Sequence, residues 1–165
     1  MIRDFRSADF EGVLSVINDA ANAYRGVIPA DRFHDPYMSA EALSAEIDAG
    51  VVFRVLEEDG RLVGAMGSQP VKDVLLIRHA YIRSDCQGQG FGSALISDLL
   101  ARASAPVLVG TWAAASWAIG FYRRHRFEQV SEAEKNRLLE TYWSIPREQI
   151  ENSVVLRLIS SPTGR

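Results

Sequence analysis

The chain has 165 residues, 47% of them hydrophobic and 24% charged. This balance fits one soluble domain with a sizeable core, not a two-domain protein. With 21 acidic against 18 basic residues the net charge is −3, so no global basic excess favours nucleic acid or an anionic membrane as partner. The single cysteine, Cys86, excludes an intrachain disulfide and a multi-cysteine metal site and points to a reducing compartment.

The first residues, Met1-Ile2-Arg3-Asp4-Phe5-Arg6, carry charges where a secretory signal needs its apolar run, so a cytoplasmic location is expected. Val13, Val16, Ile17, Ala20 and Tyr24 recur at three- and four-residue spacing, one apolar face of a helix beginning near Ser7. A second short helix is expected over 39–48. The intervening 25–38 carries Pro29, Pro36, aromatic residues and charges, a loop long enough to be functional. Strand-like runs at 51–57 and 61–69 flank Glu58-Asp59-Gly60, whose Asp-Gly pair signals a tight hairpin.

A third strand is expected over 74–82, then a helix over 90–103 with Leu95, Ile96, Leu99 and Leu100 inward, ended by Pro106. A strand at 107–112, a helix over about 116–124, a strand at 127–130, a helix over 132–143 and a strand at 154–159 complete the series. The stretch from 103 to 122 holds no charge, and roughly 20 apolar residues can span a bilayer. Pro106, Gly110, Thr111, Ser116 and Gly120 interrupt it, so it reads as a buried strand followed by a second element. Residues 160–165 look like a loose tail. The order describes an α/β or α+β domain with a mixed sheet.

The segment His79-Ala80-Tyr81-Ile82-Arg83-Ser84-Asp85-Cys86-Gln87-Gly88-Gln89-Gly90-Phe91-Gly92-Ser93 runs from a strand through a glycine-rich turn into a helix. Glycines adopt backbone conformations barred to other residues, and a helix N-terminus offers unpaired N–H donors to phosphate oxygens. The turn lacks the Gly-Lys-Ser/Thr of a Walker loop, and Ser93 stands where a dinucleotide fingerprint needs its third glycine. Gln87-Gly88-Gln89-Gly90-Phe91-Gly92 instead resembles the Arg/Gln-x-x-Gly-x-Gly/Ala motif of the GCN5-related N-acetyltransferases. The resemblance extends over nearly the whole chain, because the element order is similar too.

The resemblance implies one acetyltransferase domain over 1–159, with a mixed, mostly antiparallel central sheet flanked by helices. It also implies that the backbone amides of Gln87, Gly88, Gln89, Gly90, Phe91, Gly92 and Ser93 clasp the pyrophosphate of acetyl-coenzyme A, helped by the Gln87 side chain. The backbones of Ala80 and Ile82 would hold the pantetheine arm and polarise the thioester carbonyl, as an oxyanion hole does.

The segment 115–127 is similar to the family's Asn-x-x-Ala-x-x-x-Tyr-x-x-x-Gly-Phe stretch, which puts Tyr122 where the family often has a tyrosine that protonates the departing thiolate. A phenol with an ordinary pKa near 10 stays protonated at neutral pH and can donate. The other reading is a half-buried core tyrosine beside Phe121. Two positions depart from the pattern: Ala115 replaces the asparagine and Arg126 the glycine. Arg126 must adopt a left-handed conformation or the helix must end differently.

The acceptor side is less defined. Strict strand alternation puts Leu76, Arg78, Ala80 and Ile82 on one face and Ile77, His79 and Tyr81 on the other, so Arg78 and His79 are not expected to share the acceptor side. His79 is a candidate base and Arg78 a candidate anchor for a substrate carboxylate, beside a water relay or an acceptor arriving neutral. The loop containing Tyr24, Arg25 and Tyr37 lies where the family binds its acceptor; packing by its own aromatics is the alternative. Trp112, Trp117, Tyr142 and Trp143 are compatible with core, pocket wall or a homodimer contact.

These readings converge on an N-acetyltransferase that uses acetyl-coenzyme A as cosubstrate, without metal. It would move the acetyl group to a primary amine of a small molecule or peptide by direct transfer through a tetrahedral intermediate. No motif pairs Cys86 with a base, which disfavours an acyl-cysteine route. The rival is a non-catalytic acyl-coenzyme A binding or sensing module on the same fold. Neither a nucleic-acid nor a membrane partner is expected.

Overall fold

The computed structural model describes residues 1–160. Seven strands form one sheet: β1 (Ile2–Asp4), β2 (Val52–Glu58), β3 (Arg61–Val71), β4 (Val74–Ile82), β5 (Val107–Trp112), β6 (Phe127–Gln129) and β7 (Ser153–Leu158), in the order β1-β2-β3-β4-β5-β7-β6. Every pairing is antiparallel except β4 with β5. The α-helices are α1 (Phe10–Ala20), α2 (Ala40–Asp48), α3 (Phe91–Arg102), α4 (Ser116–Arg124), α5 (Glu132–Tyr142) and α6 (Arg147–Glu151). The mixed, mostly antiparallel sheet expected above is present. Edge strand β1 and helix α6 are additions, each too short to leave a periodic signal.

Local chemistry explains the elements that frame the site. The inward face of α1, Val13, Val16, Ile17 and Ala20, is buried, the first three packing with Phe53 and Val55 of β2 and Ala65 of β3, and each large aliphatic residue so buried contributes about 1.5–3 kcal/mol. Asp59 and Gly60 both take positive φ (51° and 77°) and join β2 to β3 in a two-residue turn, the geometry that Asp-Gly favours. On the other side of the sheet, Leu95, Ile96 and Leu99 of α3 pack with Ile77, Val109 and Tyr122.

The uncharged stretch 103–122 resolves into β5 and the nine-residue α4. Among the described residues no helix is long and apolar enough to cross a membrane. Of the expected tail, Ser160 has no regular structure, and residues 161–165 lie outside the described residues.

Two irregularities shape the sheet's centre. β4 and β5 pair only at Leu75, Leu76 and Ile77 with Val107, Leu108 and Val109; beyond Ile77 the two parallel strands have no pairing, so a wedge opens between them. In the same half of β4 the register with β3 slips: Ala65 faces Tyr81, but Gly67 faces Arg78. β4 therefore holds one extra residue, and His79 accommodates it at φ 56°, a bulge that turns the strand's alternation. Gly67 permits this approach, since a Cβ there would lie 2.7 Å from the Arg78 carbonyl oxygen.

Candidate active site

The turn before α3 has an unusual backbone. Gly88 and Gly90 adopt φ of 77° and 83°, conformations that cost other residues roughly 1–2 kcal/mol. The N-termini of α2 and α5 are capped by Ser39 and Ser131 side chains, whereas α3 begins at Gly90 with no side-chain cap. The first helical bond runs from the Ala94 N–H to the Gly90 carbonyl (3.0 Å). No backbone N–H from Gln87 to Ser93 has a partner among the described residues. Partnerless N–H donors at a helix N-terminus suit an anionic group such as a diphosphate.

Gly92 has a packing role, for a Cβ there would come 3.2 Å from the Phe121 ring. The Gln87 amide donates to the Ile82 carbonyl (3.3 Å), and Ser93 Oγ lies 3.0 Å from His125 Nε2. Burial, then the nearby Arg124 charge, hold the His125 pKa below its ordinary value.

The turn opens into the wedge, where a cavity of about 600 Å³ is lined by Ala80, Ile82, Gly88, Gly90, Gly92 and Ser93 at one end and by Tyr24, Tyr37, Arg78, His79 and Trp117 at the other. Tyr122 lines it between them and is otherwise buried, its ring edge-on to Phe121 (5.3 Å) and Phe127 (5.5 Å). Burial, then the Tyr24 phenol, push the Tyr122 hydroxyl well above its ordinary range, so it stays protonated. Burial and Tyr37 likewise raise Tyr24 to about 12, and burial raises Tyr37 and Tyr81. The rings of Tyr37, Tyr81 and Trp117 lie 5.5, 6.4 and 5.8 Å from that of Tyr24.

The bulge overturns the expected strand parity. Ala80 and Ile82 join Ile77 on the α3 side, while Arg78 and His79 both reach the carboxylate of Glu46 on α2. An extra residue in left-handed conformation reverses the face of everything beyond it. Glu46 Oε2 meets His79 Nε2. Arg78 lies 3.4 and 3.5 Å from the two Glu46 oxygens and donates to Gln69 Oε1 at 2.9 Å, so it is already engaged. Burial pushes the Glu46 carboxyl up, but the hydrogen bond from His79 and the charges of His79 and Arg78 outweigh it and hold it low.

Other expected residues fall differently. Arg25 is not among the residues lining the cavity: its guanidinium sits 4.6 Å from the Phe33 ring centroid and 3.7 Å from Asp35. Gln89 is exposed at the turn and, like Arg25, is not among the residues lining the cavity. Phe91 and Cys86 line the cavity, and the Cys86 thiol is raised by burial and by Asp85, unlike an activated nucleophile. Arg126 takes the left-handed alternative at φ 69°, and Ala115 is fully buried. Trp112, Trp117 and Trp143 line the cavity, whereas the Tyr142 hydroxyl donates to Asp73 (2.6 Å). Sequence reasoning missed Glu46; a glutamate in a short amphipathic helix carries no signal of a distant partner. Among the described residues no group of His, Cys, Asp and Glu is arranged to hold a metal ion.

A family model described as an acetyltransferase (GNAT) domain matches residues 13–140. No curated protein sequence matches the chain. Among solved structures, an acetyltransferase from Streptococcus agalactiae aligns over 97% of this chain and 98% of its own, at TM-score 0.72 and 16% identity. The PaiA N-acetyltransferase of Thermoplasma acidophilum, solved with coenzyme A, covers the same shares at TM-score 0.70 and 13% identity. A GNAT family acetyltransferase from Brucella melitensis, solved with acetyl-CoA, is 25% identical over 78% of this chain and 82% of its own, at TM-score 0.59. The wedge, the uncapped turn and the family match over most of the chain lead to one conclusion: the protein belongs to the GNAT acetyltransferase family.

Proposed function

We propose that residues 1–159 form one acetyltransferase domain that moves the acetyl group of acetyl-coenzyme A directly to a primary amine of a small molecule or peptide. The observation that carries this reading is the continuity of the site: the turn residues Gln87, Gly88 and Gly90 to Ser93 with their partnerless N–H groups, the unpaired half of β4 and Tyr122 line one cavity. When bound there, acetyl-coenzyme A would supply an activated thioester.

Gln87 to Ser93 hold the pyrophosphate through backbone N–H groups, with the Gln87 side chain free to exchange its weak bond to Ile82 for the ligand. The edges of Ala80 and Ile82 that face β5 hold the pantetheine arm and orient the thioester carbonyl. Tyr122 gives its proton to the sulfur as the C–S bond breaks; burial keeps that proton on the phenol at neutral pH until the thiolate forms. Tyr24 and Tyr37 wall the acceptor end beside Arg78 and His79. Arg25 has no part in this proposal, because its charge is spent on Phe33 and Asp35.

The test is release of coenzyme A thiol from acetyl-coenzyme A over a panel of primary amines, with the acetylated product identified by mass. The expected result is stoichiometric thiol and amide for at least one amine. Acetyl-coenzyme A at about 100 times its dissociation constant should also stabilise the fold by roughly 2.7 kcal/mol. Stabilisation without thiol release from any amine would overturn the enzyme reading in favour of a binding module. No stabilisation would remove the cosubstrate itself.

A further inference from the structure

We propose that Glu46 of α2 is a positioning residue that fixes His79 as the proton acceptor for the attacking amine; the inference rests on the acetyltransferase reading above. The bulge puts His79 and Arg78 on the face covered by α2, where one carboxylate meets both. The His79 ring is stacked on Phe53 (6.4 Å, 29°), its side chain is 14% exposed, and the residue lines the cavity. Its Nε2 is committed to Glu46, while Nδ1 has no hydrogen-bond partner among the described residues.

A carboxylate accepting from one ring nitrogen fixes the tautomer with the proton on that nitrogen and leaves the lone pair on the other. Here that fixes Nε2–H toward Glu46 and a bare Nδ1. The groups around the ring are few: Glu46 from α2, Arg78 from β4, and Tyr37 from the loop, which senses the Glu46 charge. β2 contributes the apolar Phe53. Arg78 favours the ionised form of Glu46, so a proton taken at Nδ1 stays on the imidazole. The non-glycine left-handed conformation at His79 is of a kind that concentrates at functional sites.

The protons balance without another reactant. An alkylammonium acceptor gives one proton to His79 Nδ1, and its free amine forms a bond to the acetyl carbon. The C–S bond then breaks and its electron pair goes to sulfur, which takes a proton from Tyr122. Tyr122 is re-protonated by the proton the nitrogen sheds on becoming an amide, and His79 returns its proton to solvent.

Two measurements test this. With ¹⁵N-labelled histidine, the His79 signals, assigned by their loss in His79→Gln, should show a protonated Nε2 and a bare Nδ1 above neutral pH; Glu46→Gln should mix the tautomers. A bare Nε2, or a tautomer indifferent to Glu46→Gln, overturns the proposal without any turnover. The second measurement is the pH profile of kcat/KM for tyramine, spermidine or an alanyl tripeptide, whichever the intact protein acetylates. The acid limb should move to lower pH in Glu46→Gln with at least a tenfold loss in kcat/KM, and should vanish in His79→Gln. A wild-type acid limb unchanged in both folded variants would make Glu46 only a clamp between α2 and β4 and overturn the proposal. Thiol release from none of the three probes or a broader amine panel, by protein that binds acetyl-coenzyme A, would overturn the acetyltransferase reading and the proton role together. The NMR result would still decide the Glu46–His79 pairing.

Discussion

The two ends of the cavity are made from different materials. The end at α3 is backbone: consecutive N–H groups from Gln87 to Ser93, shaped by Gly88 and Gly90 at positive φ. The opposite end is side chains gathered from far apart, Tyr24 and Tyr37 from the loop after α1, Glu46 from α2, Arg78 and His79 from β4 and Trp117 from α4. A backbone cradle tolerates change at its side chains but not at its φ angles; a side-chain constellation behaves the other way. In the proposed function, one end would accordingly recognise a fixed chemical group, and the other would be free to vary with the acceptor.

Tyr122 stands between the two ends and separates them most sharply. Tyr122→Phe removes only the hydroxyl from a ring packed on Phe121 and Phe127. The chemical step should slow by roughly 100- to 10,000-fold, with the dissociation constant for coenzyme A unchanged. Thioesters with less basic leaving thiols should lose less rate, since their departure needs less acid. Unchanged single-turnover rates would reduce Tyr122 to a packing residue.

The next effect belongs to the cradle alone. At Gly90 a Cβ would meet nothing within 4 Å, so Gly90→Val acts through its φ of 83°, a true outlier for a β-branched residue. Coenzyme A affinity, read by calorimetry, should fall about tenfold or more, in line with roughly 1–2 kcal/mol of lost backbone geometry. Wild-type affinity in this variant would mean that the turn's conformation does not matter to binding.

How far each end could be read beforehand follows from the same difference. The cradle is contiguous, so glycines at alternate positions after a strand announce it, and the Asp59-Gly60 turn is legible for the same reason: residue type dictates local φ. The acceptor end depends on the parity of β4, and a single left-handed residue, His79, reversed it. Histidine gives no warning of positive φ as glycine would, and the glycine that allows the bulge, Gly67, sits on the neighbouring strand. Glu46 lies 33 positions from its partner, a contact that no periodicity encodes. The core helices were legible because burial repeats with their turn, whereas three-residue β1 and five-residue α6 complete too few repeats.

Gly67→Ala tests whether the bulge belongs to the acceptor end only. The new methyl would press on the Arg78 carbonyl at 2.7 Å and on Val51 at 2.9 Å, and overpacking of this kind costs about 1–3 kcal/mol. The melting temperature should drop, and the acceptor KM should rise while coenzyme A affinity holds. Equal losses at both ends would show that the bulge also shapes the wedge that receives the pantetheine arm.

The smallest effect is the pH dependence of Glu46's contribution to stability. In the fold this carboxyl is held below its ordinary 4.5, because His79 and Arg78 outweigh the burial that would raise it. The unfolded chain therefore takes up a proton at Glu46 first as pH falls, and the stabilisation is complete only above the unfolded value. It drains away between 4.5 and the lower folded value and is absent below both. Glu46→Gln should cost about 1.5–3 kcal/mol near neutral pH, the range for hydrogen bonds to a charged group, and the gap to wild type should close as the solution is acidified below 4.5. Asp9, also held low, chiefly by its hydrogen bond from Arg3, is present in both proteins and cancels in the difference. At the cradle the corresponding acid, Asp85, is exposed and paired directly with the likewise exposed Arg61 (3.2 Å), so Asp85→Asn should leave urea unfolding nearly unchanged at any pH. Urea midpoints for the three proteins at neutral and acid pH would decide it. A Glu46→Gln gap that stays constant with pH would mean that Glu46 supports α2 by packing, and that the two ends do not differ in what holds them.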